Sequence, residues 1–397
     1  MKIHISNYVQ KQFYRSTTKM KKQTNQIIVY IFYLFLISAI IPSLAVDKEA
    51  SFNIQKGDLL KVDINHGNIV TSTWDKNEVK IIAKNIDEDE VKFFTAEQKS
   101  GRVDVKFKGE DSDNFNLELT IPADMIIDYK TGGGNVSIKD DLRNRVTIST
   151  AGGNITARII GGEAEITTAG GNIKLADINN NASISSAGGD IQVGSVNGKA
   201  EITTAGGNIK VGSVNNAAEI STAGGNVIVG TVGGSADIST AGGNVNVSTV
   251  SGSAEISTGG GNIKLDGATG KVEANTGGGN IELKNIKGSI EANTGAGNII
   301  AELSPDGKSN SDLNTGVGNI TIYIPESAKT TIIATASDFK WGDSAKDSDS
   351  IRSEFESNIV TQNRKGNTFE SVYELNGGGS RIELNVGMGE ISIKKLK

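Results

Sequence analysis

The sequence predicts an all-β chain folded as a single β-solenoid of 18-residue coils, with non-repetitive caps at both ends. Three observations predict it. The phrase Ala200-Glu-Ile-Thr-Thr-Ala-Gly-Gly-Asn-Ile-Lys-Val-Gly-Ser-Val-Asn-Asn-Ala217 returns every 18 residues on either side of itself. Its aliphatic residues keep fixed phases, and its polar turns keep one register. Finally, Gly reaches 49 in 397 residues while Pro is only 4 and Cys is absent, a balance that suits many tight turns between short strands and excludes a disulfide framework.

Residues 1–45 read as an export signal. The run from Ile27 to Ile41 is almost wholly apolar, follows Lys19, Lys21 and Lys22, and leads into Pro42-Ser43-Leu44-Ala45. It is short for a membrane span of ~20 residues. Cleavage after Ala45 is expected, which makes the mature chain secreted or held in the cell envelope. A start at Met20 would give a more compact leader. The other reading is an uncleaved signal that anchors the chain to a membrane by an N-terminal helix.

Residues 46–130 read as an N-terminal β cap with longer, more aromatic strands, in which Asn65-His66-Gly67-Asn68-Ile69 already echoes the repeat turn. Residues 131–324 carry the coils. Asn154, Asn172, Asp190, Asn208, Asn226, Asn244, Asn262, Asn280 and Asn298 mark the turns at strict spacing, with Asn135 and Asn319 closing the series. The Gly-Gly-Asn turns are expected to use positive φ, which glycine adopts at little cost. Four aliphatic columns point inward, led by Ile202, Ile209, Val211 and Val214. Thr204 shares the phase of Ile202 and is expected to bond to backbone at the corner. Each coil is then two or three short strands, unstable alone and held by its neighbours. Eleven such turns at ~4.8 Å each make a rod on the order of 50 Å. The gaps of seven, two and three residues between inward positions disfavour a hexapeptide helix, so right-handed winding is favoured. Residues 325–397 read as the C-terminal cap, with an irregular loop over 338–369.

Composition narrows the function. A net charge of −6, with no Arg between Arg158 and Arg352, leaves no basic surface for nucleic acid. Only His4 and His66 exist, and His66 stands where Gly206 stands in a repeat, so it is a turn residue and no Ser-His-Asp triad is expected. Glu165, Glu201, Glu219, Asp237, Glu255, Glu273 and Glu291 share one outward column, broken at Ser183. Such a ladder keeps a rod soluble, and Glu201, Glu219, Asp237 and Glu255 are the candidate set for shared Ca²⁺. No other cofactor is expected. The Thr203 column lies beside this charged one, which argues against ice binding. Asn stacking reads as an internal staple of the strands. A polysaccharide-degrading β-helix is disfavoured, since no aromatic residue occurs between Tyr129 and Tyr323 and the acids repeat rather than converge. The one non-repetitive candidate for a ligand site is the 338–369 loop, with Phe339, Trp341, Arg352 and Arg364.

The Gly-Asn-Ile turns, Leu119-Thr-Ile-Pro122, Ile322-Tyr-Ile-Pro325 and the closing Gly-Glu-Ile-Ser-Ile393 resemble a bacterial family of β-strand-repeat proteins known as putative adhesins, related to the head domains named for a Gly-Ile-Asn-type motif. The resemblance implies a β-helical envelope protein with no catalytic residues. The combined reading is a non-catalytic structural or binding module, with adhesion to a surface glycan or protein as its role. A ligand-sensing envelope protein and a polysaccharide-degrading enzyme are the alternatives.

Overall fold

The computed structural model describes residues 45–109, 115–337, 350–355, 358–365 and 367–397. The expected export signal, Ala45 apart, lies outside the described residues. No helix among the described residues is long and apolar enough to cross a membrane.

Each coil contributes one strand to each of two sheets. In the coil quoted above, Ala200–Thr204 lies in one sheet, the Gly-Gly-Asn turn follows, and Ile209–Val214 lies in the other. The next coil repeats this one rung away in parallel register, with Ile202 opposite Ile220 and Ile209 opposite Val227. Inward residues from both sheets join one continuous core, in which Ile202, Ile209, Val211 and Val214 are at most 1% exposed. The three-residue step from Val211 to Val214 breaks strand alternation, so the chain bends at Gly212-Ser213 and still turns Val214 inward. The β-solenoid expected from the sequence is therefore present, with two strands per coil.

Two local expectations fare differently. Thr204 does sit in the corner: its Oγ1 donates to the Gly189 carbonyl at 2.9 Å and accepts from the Gly207 N–H at 3.4 Å. The same hydroxyl clip recurs at Thr222, Thr240 and Thr258. Positive φ, by contrast, is not what the repeat turns require, since neither Gly206 nor Gly207 adopts it. Gly207 is needed because a Cβ there would lie 2.1 Å from the Gly189 carbonyl oxygen of the coil below. Stacking distance, not backbone handedness, selects that glycine. The Asn column does staple the coils, from the outer surface: Asn208, Asn226 and Asn244 are exposed, and each Oδ1 accepts both the backbone N–H of the next coil's Asn, at 2.9, 2.9 and 2.8 Å, and its side-chain amide, at 3.1, 3.2 and 3.1 Å.

The stack continues through both expected caps, which gives fifteen parallel rungs in each sheet among the described residues. At ~4.8 Å per rung the rod is roughly 70 Å long, longer than the eleven repeat turns alone imply. At the N-terminal end, the coil of Leu59–Ile64 and Asn68–Trp74 is inserted between two coils that are consecutive in sequence. Leu60 pairs with Val103 on one side and Ile127 on the other, and Ile69 with Leu117 and Val136. The C-terminal end repeats the device. Ser380–Met388 and Ile391–Leu396 slip between the coil of Ser311–Val317 and Ile320–Pro325 and the strands Thr330–Ser337 and Ile351–Ser353. Antiparallel strands then close the ends: Ala45–Asn53 with Glu78–Asp87, Phe94–Lys99 with Arg102–Phe107, and Ile359–Lys365 with Thr368–Leu375. The first end also holds aromatic filling, with Phe107 stacked on Phe115 at 4.3 Å and the Tyr129 hydroxyl 3.0 Å from Thr71 Oγ1. Burial pushes the Tyr129 phenol well above its ordinary pKa, offset in part by that hydrogen bond. His66 sits in the turn register expected for it, its ring edge-on to Phe107 at 5.5 Å.

Candidate functional site

Parallel in-register stacking converts any outward sequence phase into a straight file of side chains. Glu201, Glu219, Asp237 and Glu255 occupy adjacent rungs of one such file, all exposed. The file runs on through Glu273 and Glu291 to Asp312 and Glu383, two members hidden from the sequence because the period lapses before each of them. The neighbouring outward file begins with hydroxyls at Thr203 and Ser221 and changes to Asn275, Asn293, Asn314 and Asn385, whose amides bond successively at 2.9, 2.8 and 2.9 Å.

Beside the acidic file runs a trough of about 420 Å³. Its ends are Lys199, 3.3 Å from Glu219, and Lys271, 2.8 Å from Glu291 and 3.6 Å from Glu273. The Glu291 carboxylate raises the Lys271 ammonium above the ordinary lysine value. On the rungs between, the lysine position holds Ala217, Ser235 and Ser253. Those small residues open the trough and leave Asp237 and Glu255 without an ion pair among the described residues. The carboxylates stand in single file on one wall. Among the described residues no group of three or more His, Cys, Asp or Glu is gathered to hold a metal ion, so a cation here would bridge neighbouring rungs rather than enter a closed ligand shell.

Of the C-terminal ligand set, only Arg352 and Arg364 fall among the described residues. Phe339 and Trp341 lie outside the described residues. Arg352 and Arg364 fall in different sheets, on Ile351–Ser353 and Ile359–Lys365, which are strands where the sequence suggested an irregular loop. Arg352 lies 3.8 Å from Glu390, and Phe355 is buried against the core. Ile359–Lys365 pairs antiparallel, which needs no 18-residue period, and Ile351–Ser353 pairs in parallel with a strand some forty residues further along the chain, so the repeat spacing showed neither.

Sequence reasoning missed a second concavity, of about 610 Å³, built by Trp74, Asp124, Asp140, Arg143 and Arg158 with the adjoining turn. The Trp74 indole N–H donates to the Glu78 carbonyl at 2.7 Å, and the Lys76 ammonium lies 4.5 Å from its ring. Asp140 accepts the Thr73 N–H at 2.8 Å. Arg158 pairs with Asp141 at 2.9 Å and holds that carboxyl below the usual carboxylate range, while Arg143 lies 3.3 Å from Asp124. The residues come from segments far apart in the chain, and only the inserted first coil brings Trp74 beside them.

Residues 95–233 match the family Toastrack DUF4097. None of the curated proteins matches the chain. Among solved structures, a putative adhesin from Parabacteroides distasonis is 14% identical, with 71% of this chain and 98% of that one covered, at a TM-score of 0.28. A putative adhesin from Bacteroides fragilis is 14% identical over 70% and 97%, at 0.25. A putative cell adhesion protein from Clostridium sporogenes is 12% identical over 88% and 100%, at 0.14. At such TM-scores these likenesses add nothing to the architecture described above. The segment 95–233 is therefore where this chain is similar to Toastrack DUF4097, and it includes several of the Gly-Asn-Ile turns.

Proposed function

We propose that the protein is a non-catalytic binding module, an exported β-solenoid that adheres to a surface glycan or protein through repeated weak contacts along its acidic file. The observation that carries this reading is the trough from Lys199 to Lys271, where Asp237 and Glu255 face solvent with no lysine on their own rungs. Equivalent groups at a fixed ~4.8 Å repeat suit a partner that is itself extended, because many weak contacts made together give avidity. The same arrangement argues against glycoside hydrolysis. That chemistry places two carboxylates on opposite sides of the scissile bond, whereas these occupy one wall of an open face. The names of the adhesin structures agree with a binding role.

An array of surface glycans and proteins, probed with and without Ca²⁺ while new reducing ends are measured, tests the reading. Retention without reducing-end release is expected, together with its loss when Glu201, Glu219, Asp237 and Glu255 are changed jointly to Gln or Asn at unchanged melting temperature. Release of reducing ends would replace this reading with the enzymatic one. Undiminished retention by the quadruple variant would remove the acidic file from the interaction.

A further inference from the structure

We infer that the concavity around Trp74 is a binding site for a neutral pyranose sugar, separate from the acidic trough and sharing no residue with it. Its size falls in the range of ~300–1,000 Å³ that small-molecule sites occupy. Its chemistry is mixed in a specific way. One wall offers the half-buried indole of Trp74, and the rim offers carboxylates and guanidinium groups from Asp124, Asp140, Arg143 and Arg158. A pyranose needs both, since its axial C–H groups rest on an aromatic plane while its hydroxyls donate to carboxylates and accept from guanidinium N–H groups.

Charge decides against an ionic ligand. Two of the carboxylates already have cations beside them, Asp141 with Arg158 at 2.9 Å and Asp124 with both Arg143 at 3.3 Å and Lys56 at 3.6 Å, and Asp140 is engaged by the Thr73 N–H. An anion would have to displace the acids from their arginines, and a cation would meet those arginines. A neutral polyol can hydrogen-bond to both members of each pair and break neither. The site is also held in advance. Trp74 is tied by its indole N–H to Glu78, and the adjoining Thr73 N–H is bound by Asp140, so the ring does not turn away when a ligand arrives. The ammonium over the ring belongs to Lys76, an exposed turn residue that can withdraw into water. No aromatic residue occurs between Tyr129 and Tyr323, so the coils between them offer no stacking platform.

The protein has only one other tryptophan, and a Trp341→Phe background makes Trp74 the sole fluorescent indole. Glucose, galactose, mannose, N-acetylglucosamine and their oligomers are titrated against it, with glucuronate and glucosamine as charged controls. At least one neutral sugar should change the fluorescence saturably, and the change should survive high salt. Trp74→Leu, followed by calorimetry, should weaken that sugar by ~10-fold, the value of a lost aromatic contact. Arg158→Gln should weaken it several-fold, and because Arg158 is exposed this variant decides the matter if Trp74→Leu fails to fold. The assignment is overturned if no neutral sugar saturates, if only the charged sugars bind, or if folded variants keep the parent affinity.

Discussion

Side chains one position apart on the same strand live in different solvents. Ile220 is 1% exposed in the shared core while Glu219 faces water in the acidic file. Ile220→Asp should therefore cost several kcal/mol, because an unpaired carboxylate enters an interior that cannot solvate it, and Glu219→Gln should shift the melting temperature little. Equal melting temperatures would contradict the inward phase. The glycines of one turn divide in the same manner. A Cβ at Gly206 would sit 3.5 Å from the nearest atom, and one at Gly207 only 2.1 Å from a backbone carbonyl. Gly206→Ala should be neutral or stabilise by up to about 1 kcal/mol through the unfolded chain, whereas Gly207→Ala should force adjacent coils apart and lower the melting temperature sharply. A silent Gly207→Ala would show that the stack yields more than the geometry allows. The sequence marked both glycines as turn residues. It could not tell them apart, because a contact between coils is invisible until the register is known.

At the scale of the element, each strand inherits the charges of its neighbours. Asp312 shows the consequence: burial first, then Glu383 and Glu291 on the flanking rungs, raise its carboxyl above the usual value, against hydrogen bonds from Asn314 and Asn385. A carboxyl raised in the folded state binds its proton more tightly there than when unfolded, so the folded protein gains stability as pH falls through the raised value. Asp312→Asn should thus melt higher than the parent at neutral pH, and the advantage should shrink on acidification and vanish below about 3.9, the unfolded value. Melting curves across that range check it, and an advantage that grows towards acid would show the sign to be wrong. The central acidic file was legible from the 18-residue phase alone. Asp312 and Glu383 were not, since 21 residues separate Glu291 from Asp312 and 71 separate Asp312 from Glu383. The Trp74 concavity was illegible for a related reason: its parts are joined by an insertion that no local pattern announces.

Over the whole molecule, the order of rungs departs from the order of the chain at both ends. In a plain solenoid the first and last coils have one neighbour each and fray first, since stability is a sum of nearest-neighbour terms. Here the terminal coils of the sequence are interior rungs. The strand Ile391–Leu396 pairs with Ile320–Pro325 on one side and Ile351–Ser353 on the other, and Ser380–Met388 is likewise held between two partners. Among the described residues, antiparallel strands such as Ile359–Lys365 end one sheet on both sides and the other sheet on its first side, a direction that offers no parallel register for another rod to extend, while the short parallel strand Ile351–Ser353 ends that other sheet. Hydrogen exchange should resolve this arrangement. Backbone amides of 382–386 and 391–393 should be as protected as those of 313–315 and 320–322, and the edge strand 359–365 should exchange first. If 380–396 opened with the edge, the inserted coil would be a loosely docked tail. If it stays closed until the rod unfolds, then the C-terminal coil is bound on both faces, and its deletion should cost the interactions of two rung interfaces rather than one.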